Sequence, residues 1–264
     1  MRHIWIIFLL LSASLTGGCS VIQRGKILAP ESFGFTLIAP NIYMEVGADE
    51  TARGNFREAV AKAEESIRVA YGGVNSRPIF HACITEECYR KFGERDSVAA
   101  WFYYGDRILL SPRGLNRYFL THEWSHAELR NRLNFFAWKS MPRWFDEGVA
   151  VAISEAPEHS ESHWQFLVAN NIPRPAREDL HTFMSFEQWF DAVRRYGDGK
   201  GEPKINPVYS AAGHELRPWL AAVGTPGILA FIRTLNDGET FEVAYQTANP
   251  AVQGTLRDKA AQRP

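Results

Sequence analysis

The chain has 264 residues and a formal net charge of −1, with 29 basic and 30 acidic side chains interspersed along it. No arginine-rich stripe or aromatic-basic platform stands out, so a nucleic-acid partner is excluded as an expectation. The predicted elements, a small α/β lobe ahead of helices, are expected to share one core in one compact domain.

Met1, Arg2 and His3 form a short basic start, Ile4 to Leu15 is largely apolar, and Gly17-Gly18 precede Cys19. This order reads as a bacterial secretory signal over residues 1–18. The apolar run falls short of the roughly 20 residues a spanning helix needs, so a retained transmembrane segment is the weaker reading. Leu15-Thr16-Gly17-Gly18-Cys19 resembles a bacterial lipobox, with Thr16 where leucine is usual. The resemblance implies a lipid on Cys19, a membrane partner and a periplasm-facing lipoprotein, with residues 19–31 as the lipidated tether. Ser20, by the same resemblance, is the outer-membrane sorting choice.

The domain is expected over 32–256, as an α/β lobe (32–115) and a mainly helical lobe (116–256). A β segment is predicted from Phe33 to Tyr43, an amphipathic helix from about Asn55 to Val69, and a strand from Ile79 to Cys83. Cys83 and Cys88 would meet oxidising conditions after export, so a disulfide is the preferred reading over buried thiols or a metal pair. Val98–Tyr104 and Arg107–Ser111 read as two strands joined at Gly105-Asp106. The fold class expected is therefore α+β, a small mixed sheet with an edge-strand hairpin packed on helices.

Helical spacing resumes from Leu115 to Leu133, through Leu115, Phe119, His122, His126 and Leu129. Inside it lies His122-Glu123-Trp124-Ser125-His126, an HExxH signature. Two helical positions four residues apart are rotated by roughly 40°, so both imidazoles leave one face and can share a metal ion. Glu123, between them, points away from the ligands yet stays close enough to act as general base on a water.

A catalytic zinc site usually takes a third protein ligand. Met141 to Ala150 offers two carboxylates, Asp146 and Glu147, near the start of a helix that Pro142 suits. Glu147 shares its face with Trp144 and Val151, which must pack inward, whereas Asp146 groups with Arg143 and Ala150. Glu147 is the better ligand, with Asp146 at most orienting it.

Residues 155–201 are richer in proline, glycine and charge and read as a cleft wall, with a helix from Phe186 to Tyr196. His159 and His163 repeat helical histidine spacing, but Pro157 and the serines suit an exposed helix start better than a second metal site. A helix from Tyr209 to Val223, kinked or broken at Pro218, and another from Pro226 to Leu235 follow. Residues 257–264 read as a frayed tail.

HExxH followed by Pro142-x-Trp144-Phe145-x-Glu147-Gly148-x-Ala150 resembles the gluzincin metallopeptidases, in particular the peptidase-MA-like group and, more distantly, the aminopeptidase-N type. The resemblance covers roughly 99–231. It implies zincin-type catalytic helices, Zn2+ held by His122, His126 and Glu147, Glu123 as the base, and peptide-bond hydrolysis in the bacterial envelope. It also implies an edge strand for an extended substrate, which the residues themselves do not distinguish from a plain sheet edge. Such enzymes often carry a tyrosine that stabilises the oxyanion, a role matched by Tyr209, with His214 as the alternative. The competing expectation is a non-catalytic envelope lipoprotein that uses the same fold as a binding module. Intact Glu123 argues against it.

Overall fold

The computed structural model describes residues 25–92, 100–103, 106–197 and 206–248. The expected signal segment, Cys19, the tail from Arg257 and the Tyr104-Gly105 part of the hairpin turn lie outside the described residues. The fold is α+β with a small mixed sheet, as the pattern of elements predicts. The chain divides into two compact units, residues 25–59 with 77–116 and residues 60–76 with 117–248.

The sheet unit holds β1 (Phe35–Ala39) and β2 (Ile42–Glu45), then the first part of helix α1 (Glu50–Tyr71). Strand β3 (Ile79–Ala82), helix α2 (Glu86–Arg90), β4 (Ala100–Tyr103) and β5 (Arg107–Leu110) complete it. The strand order is β1-β2-β3-β5-β4, with β1 against β2 and β4 against β5 antiparallel and the two inner pairs parallel. The hairpin expected before the HExxH helix thus puts β4 at a sheet edge. The single strand expected over Phe33–Tyr43 is instead a hairpin. Asn41, at φ 62°, turns the chain in a left-handed conformation that asparagine tolerates.

Residues 25–31, read as tether, form two 3-10 turns, Lys26–Leu28 and Pro30–Phe33, because Ile27 is buried in a cluster with Phe35, Tyr89, Phe92 and Leu109. The Cys83–Cys88 disulfide lies in the same cluster, as the sequence reading prefers. Its loop is also pinned by Glu45, whose carboxylate accepts from Ile84 N at 2.8 Å, Thr85 N at 2.9 Å and the Thr85 hydroxyl at 2.7 Å. Helix α1 starts five residues before the predicted Asn55. Asp49 caps it through Ala52 N, but the first turn is largely exposed and carries no apolar period to read.

Tyr43, His81 and Leu109 form one cross-strand row. His81 is fully buried, stacked on Tyr43 and edge-on to Phe35, and neither ring nitrogen has a hydrogen-bond partner among the described residues. Burial, and then the Arg107 charge, lower its pKa from 6.5 to about 4. The unfolded chain therefore takes up this proton first as pH falls. Stability is complete above pH 6.5 and is lost towards pH 4, by about 3 kcal/mol at 1.36 kcal/mol per unit. Denaturant titrations at pH 7 and pH 4.5 should show that loss in the wild type and a clearly smaller one in His81→Leu; equal losses would refute it.

The second half of α1 belongs with the helical unit, since Ala63, Ile67 and Tyr71 are fully buried at helical spacing and the Tyr71 hydroxyl meets Ser125. Helices α3 (Arg117–Arg132), α4 (Phe135–Ser140) and α5 (Arg143–Ser154) follow, then α6 (Glu161–Ala169), α7 (Arg177–Leu180) and α8 (Phe186–Tyr196). The unit ends with α9 (Pro207–Asn236) and α10 (Phe241–Thr247). Helix α5 packs against both α3 and α9. A Cβ on Gly148 would stand 2.9 Å from the Ala212 carbonyl oxygen, so the glycine after Glu147 is what lets α5 and α9 approach so closely. Phe145, Trp219, Phe231, Phe241 and Tyr245 interlock around that contact.

The gap expected between Val223 and Pro226 is a kink at Gly224, the only residue of α9 with non-helical angles (φ 57°, ψ −173°), whereas the further kink or break expected at Pro218 is absent. Pro218 is exposed, where water can serve the carbonyl that its missing N–H leaves unpaired.

Candidate metal centre

Helix α3 is clamped to the segment that follows α1. Glu128, fully buried, accepts from Asn75 N (2.8 Å), Ser76 N (2.8 Å), the Ser76 hydroxyl (2.6 Å) and Arg132 Nε (2.6 Å). A buried carboxylate so fully paired is satisfied, and removing its partners would be costly. Trp124 Nε1 donates to the same Ser76 hydroxyl at 3.0 Å. These bonds fix the rotation of α3 and so the face that His122 and His126 share.

The Nε2 atoms of His122 and His126 lie 3.2 Å apart. Glu147 Oε2 lies 3.2 Å from the first and 3.6 Å from the second. That oxygen is buried yet meets no partner in hydrogen-bond geometry among the described residues. Two ring nitrogens this close repel unless a proton or a cation lies between them. This buried group of His122, His126 and Glu147 could hold a metal ion. The structure therefore brings together the three residues that the sequence pattern singles out as candidate ligands.

Asp146 takes the other role. Its Oδ1 lies 2.9 Å from His126 Nδ1, so the ring donates to the carboxylate from Nδ1 and turns its Nε2 towards Glu147. Arg143 donates to Asp146 Oδ2 and to Glu147 Oε1. Burial works against a charged Glu147, but Arg143 and the imidazoles outweigh it and hold the carboxyl well below its usual range. Burial likewise opposes a charged His126, yet Asp146 and then Glu147 push it up to about 10. A wall that holds a proton so firmly also favours a metal cation.

Glu123 lies half-buried on α3. Burial raises its carboxyl above the ordinary range, against the pull of His122 and His126. That shift suits a base that must take and return a proton near neutrality. Tyr209, on the first turns of α9, has its ring 6.2 Å from that of His122, stacked on His159 and edge-on to Trp189. Burial first, then the Glu147 charge, raise its pKa, so the hydroxyl stays protonated and able to donate. His214 sits about 140° further around the same helix. Its Nδ1 lies 2.9 Å from Glu161 Oε2 and its ring stacks on Trp164, so it faces a different cluster.

His159 and His163 both face a hydroxyl. Their Nδ1 atoms lie 3.4 Å and 3.0 Å from the Ser210 hydroxyl, and Ser160 caps α6 as expected. The other group with metal-ligand chemistry among the described residues, Glu45 with Cys83 and Cys88, has its sulfurs in the disulfide.

Sequence reasoning misses Arg143 and Glu128. Arg143 stands three and four residues before its carboxylates, a readable spacing. Glu128 finds its partners 52 and 53 residues away, which no local pattern shows. No protein-family model and no curated protein matches the chain.

Proposed function

We propose that the chain is a zinc-dependent peptidase of the gluzincin type that hydrolyses peptide bonds in the bacterial cell envelope, anchored by lipid on Cys19. The observation that carries this reading is the convergence of two imidazole nitrogens and one carboxylate oxygen at 3.2, 3.2 and 3.6 Å, one residue from Glu123. Tetrahedral zinc with bonds of about 2.0–2.1 Å sets its donors about 3.3 Å apart, and nitrogen donors disfavour calcium or magnesium. Zinc held by His122, His126 and Glu147 would supply Lewis acidity, polarising a water and the scissile carbonyl.

The chain's own groups perform the proton transfers. Glu123 takes a proton from the attacking water as the water oxygen bonds to the carbonyl carbon. When the C–N bond breaks, Glu123 passes that proton to the leaving amine. Tyr209 donates a hydrogen bond to the carbonyl oxygen as charge gathers there. The Cys83–Cys88 disulfide suits an oxidising compartment outside the cytoplasm.

Purified protein is expected to carry close to one zinc per chain, to lose it to strong chelators, and to cleave members of a mixed peptide library in the zinc-loaded form only. Elemental analysis and mass spectrometry of the library check this. Absence of bound metal after zinc addition would sink the reading, and stoichiometric zinc without cleavage would favour the non-catalytic binding module.

A further inference from the structure

We infer that Arg143 is a positioning residue that makes Glu147 a one-oxygen metal ligand and, through Asp146, sets the tautomer of His126; the inference rests on the metal-centre reading above. The guanidinium is nearly buried, with its side chain 13% exposed, and lies over the Phe186 ring with Cζ 4.0 Å from the centroid. From there its two terminal nitrogens reach different carboxylates. One donates to Asp146 Oδ2 and the other to Glu147 Oε1.

Each carboxylate then has one oxygen spent on Arg143 and one left for the centre. Asp146 Oδ1 receives His126 Nδ1–H, which leaves Nε2 as the lone-pair nitrogen. Glu147 Oε2 faces both Nε2 atoms. A carboxylate with both oxygens free can chelate a divalent ion and crowd the position that water or substrate needs. Holding Oε1 in a charge-assisted hydrogen bond restrains that second oxygen. A lysine cannot substitute, because its single ammonium lacks the planar fork that spans two carboxylates.

Cobalt(II) titration of the chain, with visible absorption as the readout, tests this. Four-coordinate cobalt absorbs more strongly than five- or six-coordinate cobalt, so the spectrum reports how Glu147 binds rather than whether the fold is sound. Arg143→Lys should bind cobalt and zinc about 10- to 100-fold more weakly, the usual cost of losing a partner that orients a ligand. Its cobalt bands should also weaken as Glu147 engages with both oxygens. A folded Arg143→Lys with wild-type affinity and spectrum would overturn the inference. Should Arg143→Lys not fold, Phe186→Ala decides: it removes an exposed ring under the guanidinium, and a two- to fivefold affinity loss, at about 0.5–1 kcal/mol for an exposed cation–π contact, supports the role while none overturns it. Wild-type protein that binds neither metal would instead remove the metal-centre reading itself, and this inference with it.

Discussion

Glu123→Gln is expected to keep its full complement of metal and lose turnover by about 10²–10⁴-fold, the span usually contributed by one positioned general base. The amide preserves the length and shape of the side chain but has no basic lone pair for a water proton. Nothing in the ligand triangle depends on it, because His122, His126 and Glu147 supply the donors and Asp146 and Arg143 hold them. The pKa environment sharpens the expectation. Burial raises the Glu123 carboxyl, which strengthens it as a base, and the neighbouring imidazoles moderate that rise. Zinc content by elemental analysis, paired with kcat on a peptide found in the library screen, separates the two effects. Full turnover with full zinc would remove Glu123 from the mechanism.

The parts of this site that a reader of the sequence can see are those governed by local geometry. HExxH places two imidazoles on one face because four residues nearly complete a helical turn, and the structure puts their nitrogens 3.2 Å apart. The choice between Asp146 and Glu147 rests on weaker ground, because Asp146 and Ala150 are as buried as Trp144, Glu147 and Val151, and what distinguishes the two carboxylates is where their oxygens point rather than an inward face of α5. What the sequence hides is set by tertiary contacts. Glu128 has the look of an ordinary surface glutamate on α3, yet it is the anchor for a segment about fifty residues earlier. In α9 the gap between Val223 and Pro226 is legible, but the added kink at Pro218 is not there, because water can replace the hydrogen bond that an exposed proline removes without the helix bending. Gly224 takes the bend because a glycine, next to Pro226, reaches non-helical angles without strain. The turn at Asn41 is hidden for a different reason: the apolar run from Phe33 to Tyr43 reads as one strand unless the Pro40-Asn41 turn is given priority over it.

Glu147→Ala is expected to weaken zinc binding by well over 100-fold, whereas Asp146→Asn should fall within the about 10- to 100-fold that a ligand-orienting group typically controls. Both carboxylates are buried, adjacent and paired with Arg143, so the contrast rests on where their remaining oxygens point. Glu147 Oε2 is turned to the two Nε2 atoms, and its loss removes one of three donors and leaves their repulsion uncompensated. Asp146 Oδ1 reaches only the far side of the His126 ring. Asparagine can still accept from Nδ1–H through its amide oxygen, so the tautomer survives while the charge that strengthens it is lost. Competition titrations with a chromophoric chelator measure both affinities on one scale. If Asp146→Asn empties the centre while Glu147→Ala retains zinc near wild-type affinity, the third ligand is Asp146, and the assignment made from the inward face of α5 is overturned.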